Sequence, residues 1–239
     1  MFFNDEKSME LKGKTAIVTG ISKGIGKAIS LQLLEKGCEV IGWGRNKPDY
    51  DHPKLSFITT NMRDFDSVSQ SFKHSMDISA EIHLLVNNAG LGYFGPIEEM
   101  DLEEWHCMME TNVNGIFYAL KNVIPVMKKQ EKGHVINISS VAGLMANPLI
   151  SGYSASKFAV KGMTESLFKE LRDFGIKVTG VYPGSVNTAF FDNAPGMDAH
   201  DQMLHAGEVA TQIIKAIETS DNFLINHLEF RPLQPKPKK

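Results

Sequence analysis

Short apolar, partly β-branched runs recur along the whole chain, at KTAIVT, EVIGW, LSFIT, IHLLVN, HVINIS, KVTGVY and FLIN, each bounded by turn formers or polar residues. Helical stretches separate most of them: Ile25 to Glu35, Phe65 to Met76, Glu103 to Lys129, Tyr153 to Arg172 and Glu208 to Glu218. Pro125 falls late in the third and predicts a bend or break there. Strands that alternate with helices pair in parallel through right-handed crossovers. The expected fold is therefore α/β, a Rossmann-type doubly wound, mainly parallel seven-stranded sheet with helices on both faces. EVIGW and LSFIT break the rhythm, because only a loop too short for a full crossover helix lies between them. A length of 239 residues suits one large domain of this class or two small ones, and we read residues 1–239 as one.

Open parallel sheets bind ligands beyond the carboxyl ends of their strands. The chemically suggestive residues fall there: Gly20 after the first strand, Arg45 after the second, Asn87 to Gly90 after the fourth, Ser140 after the fifth, and Pro183 with Gly184 after the sixth. TGISKGIG, residues 19–26, joins the first strand to a helix. Glycines there permit a tight turn and let backbone amides approach a pyrophosphate at the helix N-terminus. A turn that only packs helix on strand is the alternative, and the spacing differs from GxGxxG. Dinucleotide folds tell NAD from NADP at the end of the second strand, which here reads GWGRN. Gly44 leaves the acidic position empty, Arg45 offers a planar guanidinium, and Lys23 adds a second cation, so NADP(H) is favoured.

YSASK, Tyr153 to Lys157, sets a phenol and an ammonium four residues apart at the opening of a helix, where i and i+4 share a face. The spacing alone proves little. Tyr50 and Lys54 in YDHPK repeat it with Pro53 between them, which disfavours a helix.

The formal net charge of −3 gives no global attraction to nucleic acid or anionic membrane, and the basic tail PKPKK is expected to be solvated. MFFNDEKSMEL lacks the apolar core of a signal peptide and no later run approaches spanning length, so a soluble, cytoplasmic chain is expected. Cys38 and Cys107 suggest neither a disulfide framework nor a metal site, and the eight histidines show no paired ligand spacing, so no metal is expected.

TGISKGIG, NNAG at 87–90, Asn112 in NVNG, Ser140 in NISS, YSASK and the PG of VYPGS occur in one order across most of the chain. In this the chain resembles the short-chain dehydrogenase/reductase family, and within it the single-domain NADP(H)-dependent reductases. The resemblance implies a catalytic tetrad of Asn112, Ser140, Tyr153 and Lys157. Family spacing selects Ser140 over Ser139, and strand alternation turns Ser139 to the other side. The resemblance further implies a cofactor pocket shaped by Thr19, Gly20, Ser22, Lys23, Gly24, Ile25 and Gly26, by Arg45, Asn61 and Met62, and by Asn88, Ala89 and Gly90. Tyr153 and Lys157 also belong to it, with Pro183, Gly184, Val186 and Thr188 on the nicotinamide side. Asn61 stands where the family commonly has an aspartate beside the adenine.

The expected reaction interconverts a carbonyl and a secondary alcohol by hydride transfer, with Tyr153 as general acid/base. A phenol with a pKa of about 10 needs a nearby ammonium to favour its phenolate, and Lys157 is expected to supply it. Ser140 would hold the substrate oxygen. The resemblance adds that Lys157 grips the nicotinamide ribose and that Asn112 binds a water linking the lysine to solvent. The bland alternatives are a helix-capping serine, a snorkelling lysine and an asparagine satisfied within its own helix.

Residues 189–207, with Phe190, Phe191, Met197 and Met203, suit a cover over an apolar substrate region, and Leu144 to Ser151 should form the facing wall. Packing on the core or on a neighbouring subunit is the other reading of those side chains. The substrate is a small carbonyl or alcohol. The alternative functions are NADP-dependent oxidation of a hydroxy amino acid or sugar alcohol, and a non-catalytic dinucleotide-binding sensor. The resemblance implies a homodimer or homotetramer built on helices around Trp105 to Lys128 and Tyr153 to Arg172, and residues 231–239 read as an extended C-terminal tail.

Overall fold

The computed structural model describes residues 10–190 and 200–234. In chain order, β1 (Thr15–Thr19), α1 (Gly24–Glu35), β2 (Glu39–Gly44), β3 (Leu55–Thr59), α2 (Phe65–Ile78) and β4 (Leu84–Asn87) form the first half. The second half runs through α3 (Leu102–Met109), a π-helical segment (Glu110–Asn114), α4 (Gly115–Gln130), β5 (Gly133–Ile138), α5 (Ser151–Leu171) and β6 (Ile176–Pro183). β7 (Val186–Asn187) and β8 (Leu204–His205) pair apart from the main sheet, and α6 (Ala206–Ile217) precedes β9 (His227–Phe230). The strand order is β3-β2-β1-β4-β5-β6-β9, and every adjacent pair is parallel, as expected for this class. β2 and β3 are parallel despite the short loop between them.

Strand alternation explains why helices cover both faces. Ala16, Val18, Val40, Leu84, Val86 and Ile136 pack with α1 and α6 through Ile29, Leu33, Ile213 and Ile217. The intervening Ile17, Ile41, Trp43, Leu85 and Val135 pack with α2, α4 and α5 through Val68, Leu120, Val123 and Val160. Among the described residues no helix is long and apolar enough to cross a membrane.

Two expected elements need correction. The seventh strand is His227–Phe230, not FLIN. Phe223 is exposed, whereas Leu228 and Phe230 lean on the core and alternate with His227 and Glu229. The edge strand thus follows polar alternation rather than the most apolar run. The helix expected over Glu103 to Lys129 carries its irregularity at Glu110–Asn114, and α4 continues through Pro125. Lys121, whose carbonyl the proline leaves without a donor, is exposed, so water can satisfy it. Val123 and Met127 hold the other side of the helix to the sheet.

His134 at the start of β5 is wholly buried, shares a 2.8 Å hydrogen bond between Nε2 and the Thr179 hydroxyl, and leaves Nδ1 without a partner. Burial, with the charge of Lys177 behind it, pushes its pKa down to about 3. His83, which accepts the Thr15 N–H on Nδ1 at 3.2 Å, is also shifted down, mainly by burial. The unfolded chain binds these protons more readily than the folded one. Stability should therefore fall as pH drops below the ordinary histidine value of 6.5, and keep falling towards about 3. We expect His134 alone to account for roughly 3–5 kcal/mol over that window. Urea unfolding from pH 7 to pH 4 should show a clearly shallower loss for His134→Gln than for the natural chain.

Candidate active site

The carboxyl ends of β1, β2, β4, β5 and β6 bring the singled-out residues to one edge of the sheet. Thr19 ends β1, and its hydroxyl accepts the N–H groups of Asn88 (3.0 Å) and Ala89 (2.9 Å). Asn88 answers by donating its amide to the carbonyls of Thr19 and Gly20 at 3.0 and 3.1 Å. Gly20 takes φ +73° and Gly24 φ +61°, conformations that need glycine. A Cβ at Gly26 would lie 2.3 Å from both Asn88 Nδ2 and the Gly20 carbonyl oxygen. Ser22 and Lys23 lie on the turn, and Ile25 packs inwards against the core. Among the described residues, the Lys23 side chain at the N-cap of α1 makes no capping bond and no acidic residue stands in the first turn. Its amides are thus oriented as an anion cradle, and the surrounding residues fit a pyrophosphate.

The rim after β2 is tied to this turn. Tyr50 donates its hydroxyl to the Ile21 carbonyl at 3.2 Å, and Lys27 pairs with Asp49 at 2.5 Å. Arg45 and Lys23 are both exposed there, and neither forms an ion pair among the described residues. Tyr50 and Lys54 point to separate partners, Lys54 reaching the Gly37 carbonyl, so the accidental Tyr-x-x-x-Lys makes no site. Asn61 is exposed and uses its side-chain oxygen on the Arg63 N–H, while Met62 is buried in the core. On the far side Pro183 ends β6, Gly184 donates to the Phe230 carbonyl, and Val186 is buried. Thr188 reaches back across the turn, its methyl 3.4 Å from where a Gly24 Cβ would stand.

Tyr153 and Lys157 occupy successive turns of α5 and are both buried. Lys157 does not snorkel: its ammonium donates to the Ile138 carbonyl at 3.1 Å and stands 5.7 Å from the centre of the Tyr153 ring. Burial lowers its pKa to about 8. Burial also raises the Tyr153 phenol to about 12, opposed by a hydrogen bond with the Ser140 hydroxyl. In the chain alone, burial therefore outweighs any lowering of the phenol. Desolvation of the phenolate is the largest influence, while the ammonium donates to a backbone carbonyl 3.1 Å away. At neutral pH the site therefore holds a protonated phenol beside a protonated amine.

Ser140 both caps the short turn Val141–Gly143, accepting the Ala142 N–H at 3.1 Å, and meets Tyr153. Ser139 faces away and donates to the Lys157 carbonyl at 2.9 Å. Asn112 lies in the π-helical segment, a distortion that often marks functional positions. Its amide clasps Leu91, accepting from the N–H at 2.9 Å and donating to the carbonyl at 2.8 Å, and also donates to Ser156. It is thus satisfied across the site and not within its own helix. A Cβ at Gly90 would lie 3.2 Å from Asn112 Oδ1 and 3.4 Å from Lys157 Nζ, which fixes how closely the three converge.

The sequence reading missed Phe94 and Gly92. Phe94 and Phe190 lie against the Tyr153 ring with centroids 5.6 and 5.5 Å away, and a Cβ at Gly92 would stand 2.9 Å from each Phe ring and 3.1 Å from the Tyr153 ring. The signal was GYFG, an aromatic pair in a glycine-framed loop immediately after NNAG. Ile150 of the expected facing wall joins the same cluster, and Met203 is buried. Phe191 and Met197 of the expected cover lie outside the described residues, as do residues 235–239 of the tail.

A family model described as short chain dehydrogenase matches residues 14–198. An uncharacterized oxidoreductase of Staphylococcus saprophyticus is 32% identical over 235 residues, covering 94% of this chain and all of its own. A 3-ketodihydrosphingosine reductase of Bacteroides thetaiotaomicron is 40% identical over 177 residues, 74% of this chain and 65% of that protein. Among solved structures, the closed form of a serine dehydrogenase complexed with NADP+ superposes with a TM-score of 0.83 at 26% identity, covering 92% of this chain and 95% of that one.

Proposed function

The chain belongs to the short-chain dehydrogenase family, and from that premise we propose that it is an NADP(H)-dependent oxidoreductase interconverting a carbonyl and a secondary alcohol. The observation that carries the reading is the convergence of Ser140, Tyr153, Lys157 and Asn112 beside Gly90, at the edge that holds the open glycine cradle. When bound, the dinucleotide supplies or accepts the hydride at the carbonyl carbon. Its pyrophosphate would rest on the first-turn amides of α1, with Thr19 and Asn88 holding the turn rigid beneath it.

In the reducing direction the neutral phenol of Tyr153 gives its proton to the oxygen that becomes the alcohol, and solvent returns one proton to the phenolate. Ser140 orients that oxygen and stabilises charge developing on it. Lys157, positively charged below about pH 8, steadies the transient phenolate that burial otherwise disfavours. Asn112 holds the Leu91 backbone and the turn beside it in register with α5 through Ser156, whose hydroxyl also binds the Tyr153 carbonyl. In the alcohol-oxidising direction Tyr153 must accept the proton as its phenolate, a form that burial disfavours and the positive charge of Lys157 favours. The name of the Bacteroides relative, a ketone reductase, is in keeping with the reducing direction.

Preference for the 2′-phosphate rests on Arg45 and Lys23, both exposed beside the cradle and, among the described residues, in no ion pair. A lost charge-assisted contact to phosphate is worth about 1.5–3 kcal/mol. Arg45→Asp should therefore lower the ratio of kcat/KM for NADPH over NADH by about 10- to 100-fold. An unchanged ratio would show that the phosphate is gripped elsewhere. The same assay, run with a panel of ketones and alcohols, tests the oxidoreductase reading itself.

A further inference from the structure

The loop that follows β4 and the loop that follows β5 both pack on the Tyr153 cluster, through Leu91, Phe94 and Ile150, and a backbone hydrogen bond joins them, Gly95 N–H to Leu149 C=O at 2.7 Å. Leu149 makes that bond from the left-handed region, φ +66°, a strained conformation for a residue with a Cβ. Strain of this kind tends to collect at functional sites. The two fastened segments turn three large apolar side chains outwards, Ile97 at 56% exposed, Met145 at 51% and Leu149 at 58%, with the exposed carboxylates of Glu98 and Glu99 next to Ile97. Beneath them the lining is apolar as well, with Phe94 and Phe190 against Tyr153 and with Leu91, Met100 and Ile150 around them. The residues packed on the ring itself are apolar, and the one charge placed beside it here, the Lys157 ammonium 5.7 Å from the ring centre, donates to the Ile138 carbonyl.

A buried apolar cluster on the reactive phenol and an exposed apolar rim on the loops above it are two separate observations with one simple common occupant. On the reading of Tyr153 as the proton donor, we infer that the substrate is a ketone or secondary alcohol carrying an unbranched hydrocarbon chain. Its oxygen meets Ser140 and Tyr153, its nearer carbons replace part of the contact between Phe94 and Phe190, and its chain lies across Ile97, Met145 and Leu149. The reaction remains balanced as above: hydride from NADPH to the carbonyl carbon, the Tyr153 proton to its oxygen, and NADP+ released. Short polar substrates would leave the rim in water and gain nothing from it.

The test uses methyl ketones of four to ten carbons, with short 2-oxo acids and aldoses as polar comparators, in two arms. In the first, NADPH oxidation should show kcat/KM rising about two- to fourfold per added methylene, and Met145→Asp should flatten that slope beyond the shorter members. In the second, calorimetric affinity for the same ketones is measured with NADP+ present, where no turnover occurs. Affinity that rises with chain length supports the chain-binding inference even if no ketone is reduced, in which case the oxidoreductase reading alone fails. Affinity that is flat or falls with length overturns the inference, as does tighter binding of an oxo acid or an aldose than of the long ketones.

Discussion

Tyr153→Phe should lower kcat/KM for carbonyl reduction by about 10²- to 10⁴-fold, with NADPH binding essentially unchanged. The substitution removes one hydroxyl and keeps the ring, so the edge contacts with Phe94 and Phe190 survive and the cover over the site stays packed. What disappears is the proton source and the hydrogen bond with Ser140. Nothing else nearby can take over. Lys157 is held on the Ile138 carbonyl at 3.1 Å, and Ser140 lacks an acidity suited to donation near neutral pH. Because the phenol is buried, removing its hydroxyl should change stability little or favourably, which separates lost chemistry from lost fold. Steady-state rates beside a fluorescence titration with NADPH decide the matter: rates near those of the natural chain would remove Tyr153 from the reaction.

The parts of this arrangement that were legible in the sequence are those written in local pattern. A five-residue apolar run, a glycine turn and a helix opening follow one another at Thr15–Glu35, and no tertiary contact is needed to read them. The Tyr153–Lys157 pair was readable because an uninterrupted helix follows it, while Pro53 spoiled the same spacing at Tyr50 and Lys54. What stayed hidden depends on partners distant in the chain. His227–Phe230 is a strand because Gly180 to Pro183 pair with it, which its own polar alternation only hints at. The π-helical turn at Asn112 is supported by bonds to Leu91, 21 residues away, and by Ser156, 44 residues away. Electrostatics was the hardest to foresee. Spacing put an ammonium near a phenol, but burial depth, which no short stretch encodes, decided that the phenol would rise to about 12.

Gly26→Ala should weaken NADPH binding about tenfold or more and lower stability by about 1–3 kcal/mol. The added methyl would stand 2.3 Å from Asn88 Nδ2 and from the Gly20 carbonyl oxygen, well inside any tolerable contact. Neither neighbour can yield cheaply. Asn88 is fixed by its bonds to the Thr19 and Gly20 carbonyls, and its backbone N–H by the Thr19 hydroxyl. Relief must come either from expelling the Asn88 amide, which leaves two carbonyls unpaired, or from moving the start of α1 outwards, which withdraws the amide cradle from the phosphates. Both routes disturb the cradle itself, so nucleotide affinity should fall together with stability. Gly162→Ala provides the contrast within the same chain: that glycine lies in α5 with open space where its Cβ would be. There the substitution should raise stability by up to about 1 kcal/mol through helix propensity and leave NADPH affinity alone. Equal effects of the two alanines on nucleotide binding would mean that the turn at Gly26 is ordinary packing and that the phosphates are held by some other surface.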